Sequence, residues 1–135
     1  MPSARINKKV TVFEAVRIIK EFIRGDLTRK NWFKKIKLHI KAILLYGSVA
    51  KGTNRPDSDI DILIITPLKI EEKYTKGEYV YQYKKYRINI VLRSIERLRR
   101  LARKPTRFQA EVFRKSRIIW EKDKELRKLT ERIKQ

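Results

Sequence analysis

Two short, nearly unbroken apolar runs limit what this chain can fold into. Residues 42–46 read Ala-Ile-Leu-Leu-Tyr and end at Gly47-Ser48, and residues 60–65 read Ile-Asp-Ile-Leu-Ile-Ile and end at Thr66-Pro67. A strand with one wet face alternates apolar and polar side chains, whereas successive apolar positions suit a strand buried on both faces. The runs therefore predict neighbouring central strands. Residues 79–83 and 86–92 flank Lys84-Lys85 and predict an antiparallel hairpin. In its second arm Ile88, Ile90 and Leu92 share one face, and Arg87, Asn89 and Val91 share the other.

Helices are expected around this sheet. Thr11-x-x-Glu14 is a capping box for a helix in which Val12, Val16, Ile19 and Ile23 recur at helical spacing up to Gly25. A weaker helix is expected from about Thr28, with Trp32 and Ile36 one turn apart. Ser94 caps a helix through Arg103, Pro105 breaks it, and Thr106-x-x-Gln109 is a capping box for a helix carrying Phe108 and Val112. Ile118-Ile119-Trp120 reads as a short edge strand. Asp123 caps a last helix with Leu126, Leu129 and Ile133 facing the core. The expected class is α/β with a small sheet.

A length of 135 residues suits one domain over residues 1–135. No apolar stretch approaches the roughly 20 residues that cross a bilayer, and the first residues lack the apolar core of a signal peptide, so a cytoplasmic protein away from membranes is expected. The chain has no cysteine, which excludes disulfides, thiolate zinc sites and cysteine nucleophiles. His39 is the only histidine, so no histidine metal cluster or catalytic triad is available. Against 36 Lys and Arg stand 15 Asp and Glu, a net charge of +21 that attracts phosphate backbones, nucleotides or acidic proteins.

Chemistry concentrates between the two apolar runs, from Leu45-Tyr46-Gly47-Ser48 to Asp59-Ile60-Asp61. Side chains two apart on a strand project from one face, so Asp59 and Asp61 bring two carboxylates together. Such a pair favours a hard cation between them, and Mg²⁺ completes its shell with substrate phosphates and water. Gly47 lets backbone approach a triphosphate, while the Ser48 hydroxyl and nearby N–H groups donate to phosphate oxygens. Lys51 and Ser58, with Thr53 and Arg55, lie in the intervening loop within reach of a triphosphate. These parts are what phosphoryl transfer requires.

Gly-Ser followed at a short interval by Asp-x-Asp resembles the signature of the DNA polymerase β-like nucleotidyltransferase superfamily, and the chain's size resembles its minimal nucleotidyltransferase branch. The likeness is specific over about residues 43–65 and looser at the hairpin near residue 89 and at Trp120-Glu121-Lys122-Asp123. It implies a mixed sheet flanked by helices and transfer of a nucleoside monophosphate from an NTP, with ATP the expected one, to a hydroxyl, using two Mg²⁺ ions. It also implies a separate small helical partner of the HEPN type in a toxin–antitoxin pair, with the transferase as antitoxin.

The chain departs from that pattern at one place. Where the family carries a third Asp as apolar-Asp-apolar, this sequence reads Ile88-Asn89-Ile90. Asn can ligate a metal but cannot act as a base at neutral pH, so Asn89 takes that catalytic position without its charge. Glu78 and Glu96 are the substitutes to examine. The alternative is a catalytically weak or inactive module that keeps the fold and binds nucleotide, RNA or DNA. Arg97, Arg99, Arg100, Arg103, Lys104 and Arg107 could follow a nucleic-acid backbone, and Tyr79, Tyr81, Tyr83 and Tyr86 read chiefly as strand formers. An oligomer is compatible with all of this.

Overall fold

The computed structural model describes residues 8–74 and 79–134, and in it both apolar runs are strands. β1 (Ala42–Tyr46) and β2 (Ile60–Thr66) pair antiparallel. β3 (Tyr79–Tyr83) and β4 (Tyr86–Ser94) form the expected hairpin, and β4 lies parallel to β2. β5 (Arg117–Glu121) pairs antiparallel with the outer side of β1 as an edge strand. The sheet is thus mixed, in the order β3-β4-β2-β1-β5.

Helices cover both faces. α1 (Val12–Gly25) begins at the Thr11/Glu14 capping box, and α2 (Asn31–Ile36) lies between two single 3-10 turns. These two pack Ala15, Ile18, Ile19, Phe22, Phe33 and Ile36 on one face of the sheet, against Ile43 and Leu45 of β1, Ile62 and Ile64 of β2, and Ile88, Ile90 and Leu92 of β4. The other face carries Ala42, Leu44, Leu63 and Ile65. It is covered by α5 (Ile95–Arg103), α6 (Arg107–Lys115) and α7 (Glu125–Lys134) through Ile95, Leu98, Phe113, Leu126, Leu129 and Ile133. The two remaining helices are short: α3 (Gly47–Lys51) follows β1 and α4 (Leu68–Tyr74) follows β2.

Several local expectations shift. The core stripe of α1 centres on Ala15, Ile18, Ile19 and Phe22, and Val12, Val16 and Ile23 lie at its margin. The helix expected from Thr28 breaks into pieces: Lys30 is extended at its head without a side-chain cap, and the chain must turn into β1 within a few residues. On α6, whose face the sequence left open, the buried residues are Ala110 and Phe113, and Phe108 is 74% exposed. Docking against β1 and α7 chooses that face. The hairpin tyrosines are structural, since Trp32 stacks on Tyr79 with centroids 4.2 Å apart and donates to the Tyr81 hydroxyl at 2.6 Å. Tyr81 and Tyr83 pack on Phe22.

Among the described residues no helix is long and apolar enough to cross a membrane.

Two-sided burial of the central strands makes them the most costly place to remove volume. Leu44→Ala and Ile62→Ala, both at fully buried positions, are each expected to lower unfolding free energy by about 2–5 kcal/mol in urea melts. Phe13→Ala, on the exposed side of α1, should stay within about 0.5 kcal/mol of wild type.

Candidate active site

Strand register assembles the site. Tyr46 of β1 stands opposite Asp61 of β2, and Asp61 opposite Asn89 of β4, so the three form one row across neighbouring strands. The next row along the same face is Leu44, Leu63 and Val91, which belongs to the core under α5–α7. The polar row therefore lies where the covered apolar surface ends. Asp59 immediately precedes β2, whose first residue is Ile60, so only Asp61 of the pair is a strand residue.

Gly47 begins α3 rather than an open turn. Its φ is +78°, and a Cβ built there would lie 2.3 Å from Asp61 Oδ2. The position needs glycine first because Asp61 occupies the space a side chain would take. α3 buries Val49 and Ala50 in the core and ends at Gly52, again at positive φ, whose N–H donates to the Ser48 carbonyl. The Ser48 hydroxyl has no hydrogen-bond partner among the described residues. Lys51 is exposed beyond it.

The loop from residue 52 to 58 is held from behind. Lys9 Nζ donates to the Gly52 carbonyl at 2.8 Å, and buried Asn54 donates through Nδ2 to the Val10 carbonyl at 2.9 Å. Ser58 is engaged within the loop, its Oγ accepting from the Arg55 N–H at 2.8 Å. That geometry gives Ser58 a turn-forming role beside the phosphate contact expected from sequence.

Electrostatics focus on Asp61. Burial pushes its carboxyl above the usual carboxylate range, the Asn89 hydrogen bond opposes that rise, and the charge of Asp59 adds to it. Asn89 Nδ2 donates to Asp61 Oδ1 at 3.3 Å. Asp59 Oδ1 lies 3.8 Å from Arg87 Nε. Tyr46 titrates above its ordinary value, from burial first and then the Asp61 charge, with Arg93 acting against both. Two carboxylates, with the Asn89 amide beside them, are oxygen donors of the kind Mg²⁺ takes. No group of three His, Cys, Asp or Glu able to hold a metal exists among the described residues. The donor set therefore fits one divalent cation better than two.

The substitutes for a third carboxylate do not join this group. Glu96 accepts from the Leu68 N–H at 3.1 Å and ties α4 to α5, and Glu78 lies outside the described residues. His39 is exposed on the turn before β1. Of the basic cluster, Arg97 is bound to buried Glu71 at 2.9 Å and Arg99 to Glu125 at 2.6 Å. The sequence reading missed Tyr46 as the neighbour of Asp61, Arg87 as the neighbour of Asp59, and Arg93 as a charge acting on Tyr46. Alternation on β4 carried part of the signal, since Arg87, Asn89 and Arg93 share a face.

Comparison with known proteins follows the same lines. The family model described as polymerase beta, nucleotidyltransferase matches residues 30–125. No curated protein matches the chain. A nucleotidyltransferase-like protein from Exiguobacterium sibiricum 255-15 superposes with a TM-score of 0.52 at 17% identity, over 79% of this chain and 37% of that one. The present chain thus spans well under half of that structure, and the likeness concerns the fold. A toxin–antitoxin structure with AMP-PNP is more distant, with a TM-score of 0.39 at 17% identity over 77% of this chain and 84% of that one.

Two measurements check this geometry. Gly47→Ala combines positive φ with the contact to Asp61 Oδ2, and is expected to cost about 2–3 kcal/mol in denaturant melts. Gly52→Ala, at a similar φ but facing open space, should cost only about 1 kcal/mol. Because the folded-state value of Asp61 is raised, its ionised form opposes folding above that value. Without added metal, Asp61→Asn should raise Tm by about 2 °C at pH 7. That gain should fade as pH falls through the raised carboxyl value and vanish once the carboxyl is protonated in both states.

Proposed function

The chain belongs to the polymerase beta-type nucleotidyltransferase family, and on that premise we propose that it transfers a nucleoside monophosphate from an NTP, ATP first among them, to a hydroxyl of a macromolecule. It does so as a single cytoplasmic domain using Mg²⁺. The observation that carries this reading is the contact of Gly47 with Asp61. Backbone suited to phosphate and a carboxylate suited to a cation meet there at van der Waals range, with Asp59 alongside.

Asp59 and Asp61 are the residues to hold the cation, with Asn89 as a neutral neighbour. Held by these residues, a divalent cation would supply neutralisation of the charge that develops on the transferring group. Ser48, whose hydroxyl has no hydrogen-bond partner among the described residues, donates to the triphosphate, and Lys51 adds positive charge beside it. Arg87 restrains Asp59, and the Asn89 amide orients Asp61. In the transfer step the acceptor oxygen bonds to the α-phosphorus, the bond to the bridging oxygen breaks, and pyrophosphate leaves. The proton of the acceptor hydroxyl passes to water, because Asn89 offers no basic site.

Two further readings have specific support. The family resemblance supports pairing with a small helical protein of the HEPN type, the present chain acting as antitoxin. Co-purification from native extract with such a protein is the expected result, and a clean monomer would sink the pairing. Asn89, placed opposite Asp61, supports a second reading in which the domain binds nucleotide or nucleic acid with little turnover.

Labelled ATP, CTP, GTP and UTP, offered with RNA and co-purifying protein, decide between turnover and binding. Wild type should transfer label in a Mg²⁺-dependent reaction, and Asp61→Asn should lose about 100-fold or more of it. Asn89→Asp restores a base opposite Asp61 and is expected to raise the rate by about 100-fold. Silence in all three proteins would leave the binding module.

A further inference from the structure

On the face of the sheet away from Asp61, a groove of about 750 Å³ opens between β5, the C-terminal end of α1 and the turn before β1. Its floor includes Phe33, Ile40, Ile43 and Ile119, all part of the core under α1 and α2 or packed against it. Leu38 and Trp120 also line it and stay open to solvent, at 84% and 46% exposure. An irregularity in the β1–β5 ladder puts the indole there. Ile118 stands opposite Leu44, on the α5–α7 side, but the register shifts after it and Trp120 stands opposite Ile43, on the α1 side. A bulge re-aims side chains in this way, and here Ile119 and Trp120 both face the groove.

Charge around this apolar floor has one sign. Lys20, Arg24, Lys37 and Lys122 line the groove, all exposed, and no Asp or Glu does. The ammonium groups of Lys20, Lys37 and Lys122 have no ion pair among the described residues, and Arg24 donates only to the Lys20 carbonyl at 3.4 Å. The four cations are thus available to acidic groups from outside the described residues.

We infer that the groove is a docking site for an amphipathic helix of another protein, one whose polar face is acidic. Such a helix lays an apolar ridge into a groove with anchors one turn apart, while its flanking carboxylates meet the rim. A second copy of this chain would bring its own charge of +21 against the same cations. A nucleic-acid strand would answer the cations and leave the aliphatic floor without a partner, and a flat bilayer cannot fill a concave one. The groove and Asp61 lie on opposite faces of the sheet, so the inference stands whether or not the chain transfers nucleotides.

The test uses a labelled peptide of about 16 residues, some four helical turns, with Leu at i, i+3, i+4 and i+7 and Glu across its polar face. A second peptide carries Lys for Glu, and a third keeps the composition with the Leu spacing scrambled. In fluorescence anisotropy the acidic helix should bind at least about tenfold tighter than either. Its docking should shift Trp120 emission to the blue, and Trp120→Phe should remove that shift while changing affinity by less than about threefold. Leu38→Ser should weaken binding about fivefold, and Lys37→Glu/Lys122→Glu about tenfold. Arg100→Glu/Lys104→Glu makes the same charge change at exposed positions on the other side of the sheet and should alter binding by less than about twofold. Thermal melts check that each variant folds. Absence of binding, indifference to the Leu spacing, or equal losses from the two charge-reversal pairs would overturn the inference. So would a wild-type dimer in sedimentation that Leu38→Ser dissociates, or binding to phosphatidylserine vesicles that Leu38→Ser abolishes, since the occupant would then be a second copy or a lipid surface.

Discussion

Pairing of β2 on both of its edges is the constraint on which the rest of the structure depends. β1 runs antiparallel on one side and β4 parallel on the other, and apolar side chains from β2 enter both cores. A slip of one residue in either ladder would turn Ile62 and Ile64 outward and send Asp61 into the core under α1. Burial thus fixes the register, and register places Tyr46, Asp61 and Asn89 in one row. The polar row is a by-product of apolar packing.

Within that row, proximity is set by a missing side chain. Gly47 allows the first turn of α3 to lie against Asp61, and the half-buried carboxyl is destabilised there by desolvation and by Asp59. The Asn89 amide moderates this only in part, through a hydrogen bond of 3.3 Å, and Arg87 lies 3.8 Å from Asp59 rather than beside Asp61. Two acidic groups held together in a molecule of net charge +21 are an arrangement a divalent cation would relieve. Elsewhere carboxylates pair with the excess cations, as buried Glu71 does with Arg97 and the Ser94 N–H.

Much of the fold was legible in the residues because local signals agreed with one another. The Thr11, Ser94 and Thr106 caps and the Lys84-Lys85 hairpin all fall where side-chain chemistry predicts. On α6 docking, rather than periodicity, chose the buried face. Phe108 and Val112 are as well spaced as Ala110 and Phe113, and only contact with β1 and α7 decides which pair is buried. The segment from Thr28 had to turn into β1, so helical spacing at Trp32 and Ile36 did not lengthen into one helix.

For the site, the sequence by itself determined the residue types and their local spacing: Gly47-Ser48 after one buried strand, Asp59 and Asp61 at the head of the next, and Asn89 where the family carries a third Asp. Side-chain alternation and burial are properties of short segments, so they can be read along the chain. Only the tertiary structure decided that Gly47 serves Asp61 before it serves a phosphate, that Glu96 is drawn away to Leu68, and that Arg93, Arg100, Lys104 and Phe108 line one cleft with Gly47 and Lys51. These facts join residues many positions apart, and distances of that kind are set by how strands pair and helices dock, which no local pattern encodes.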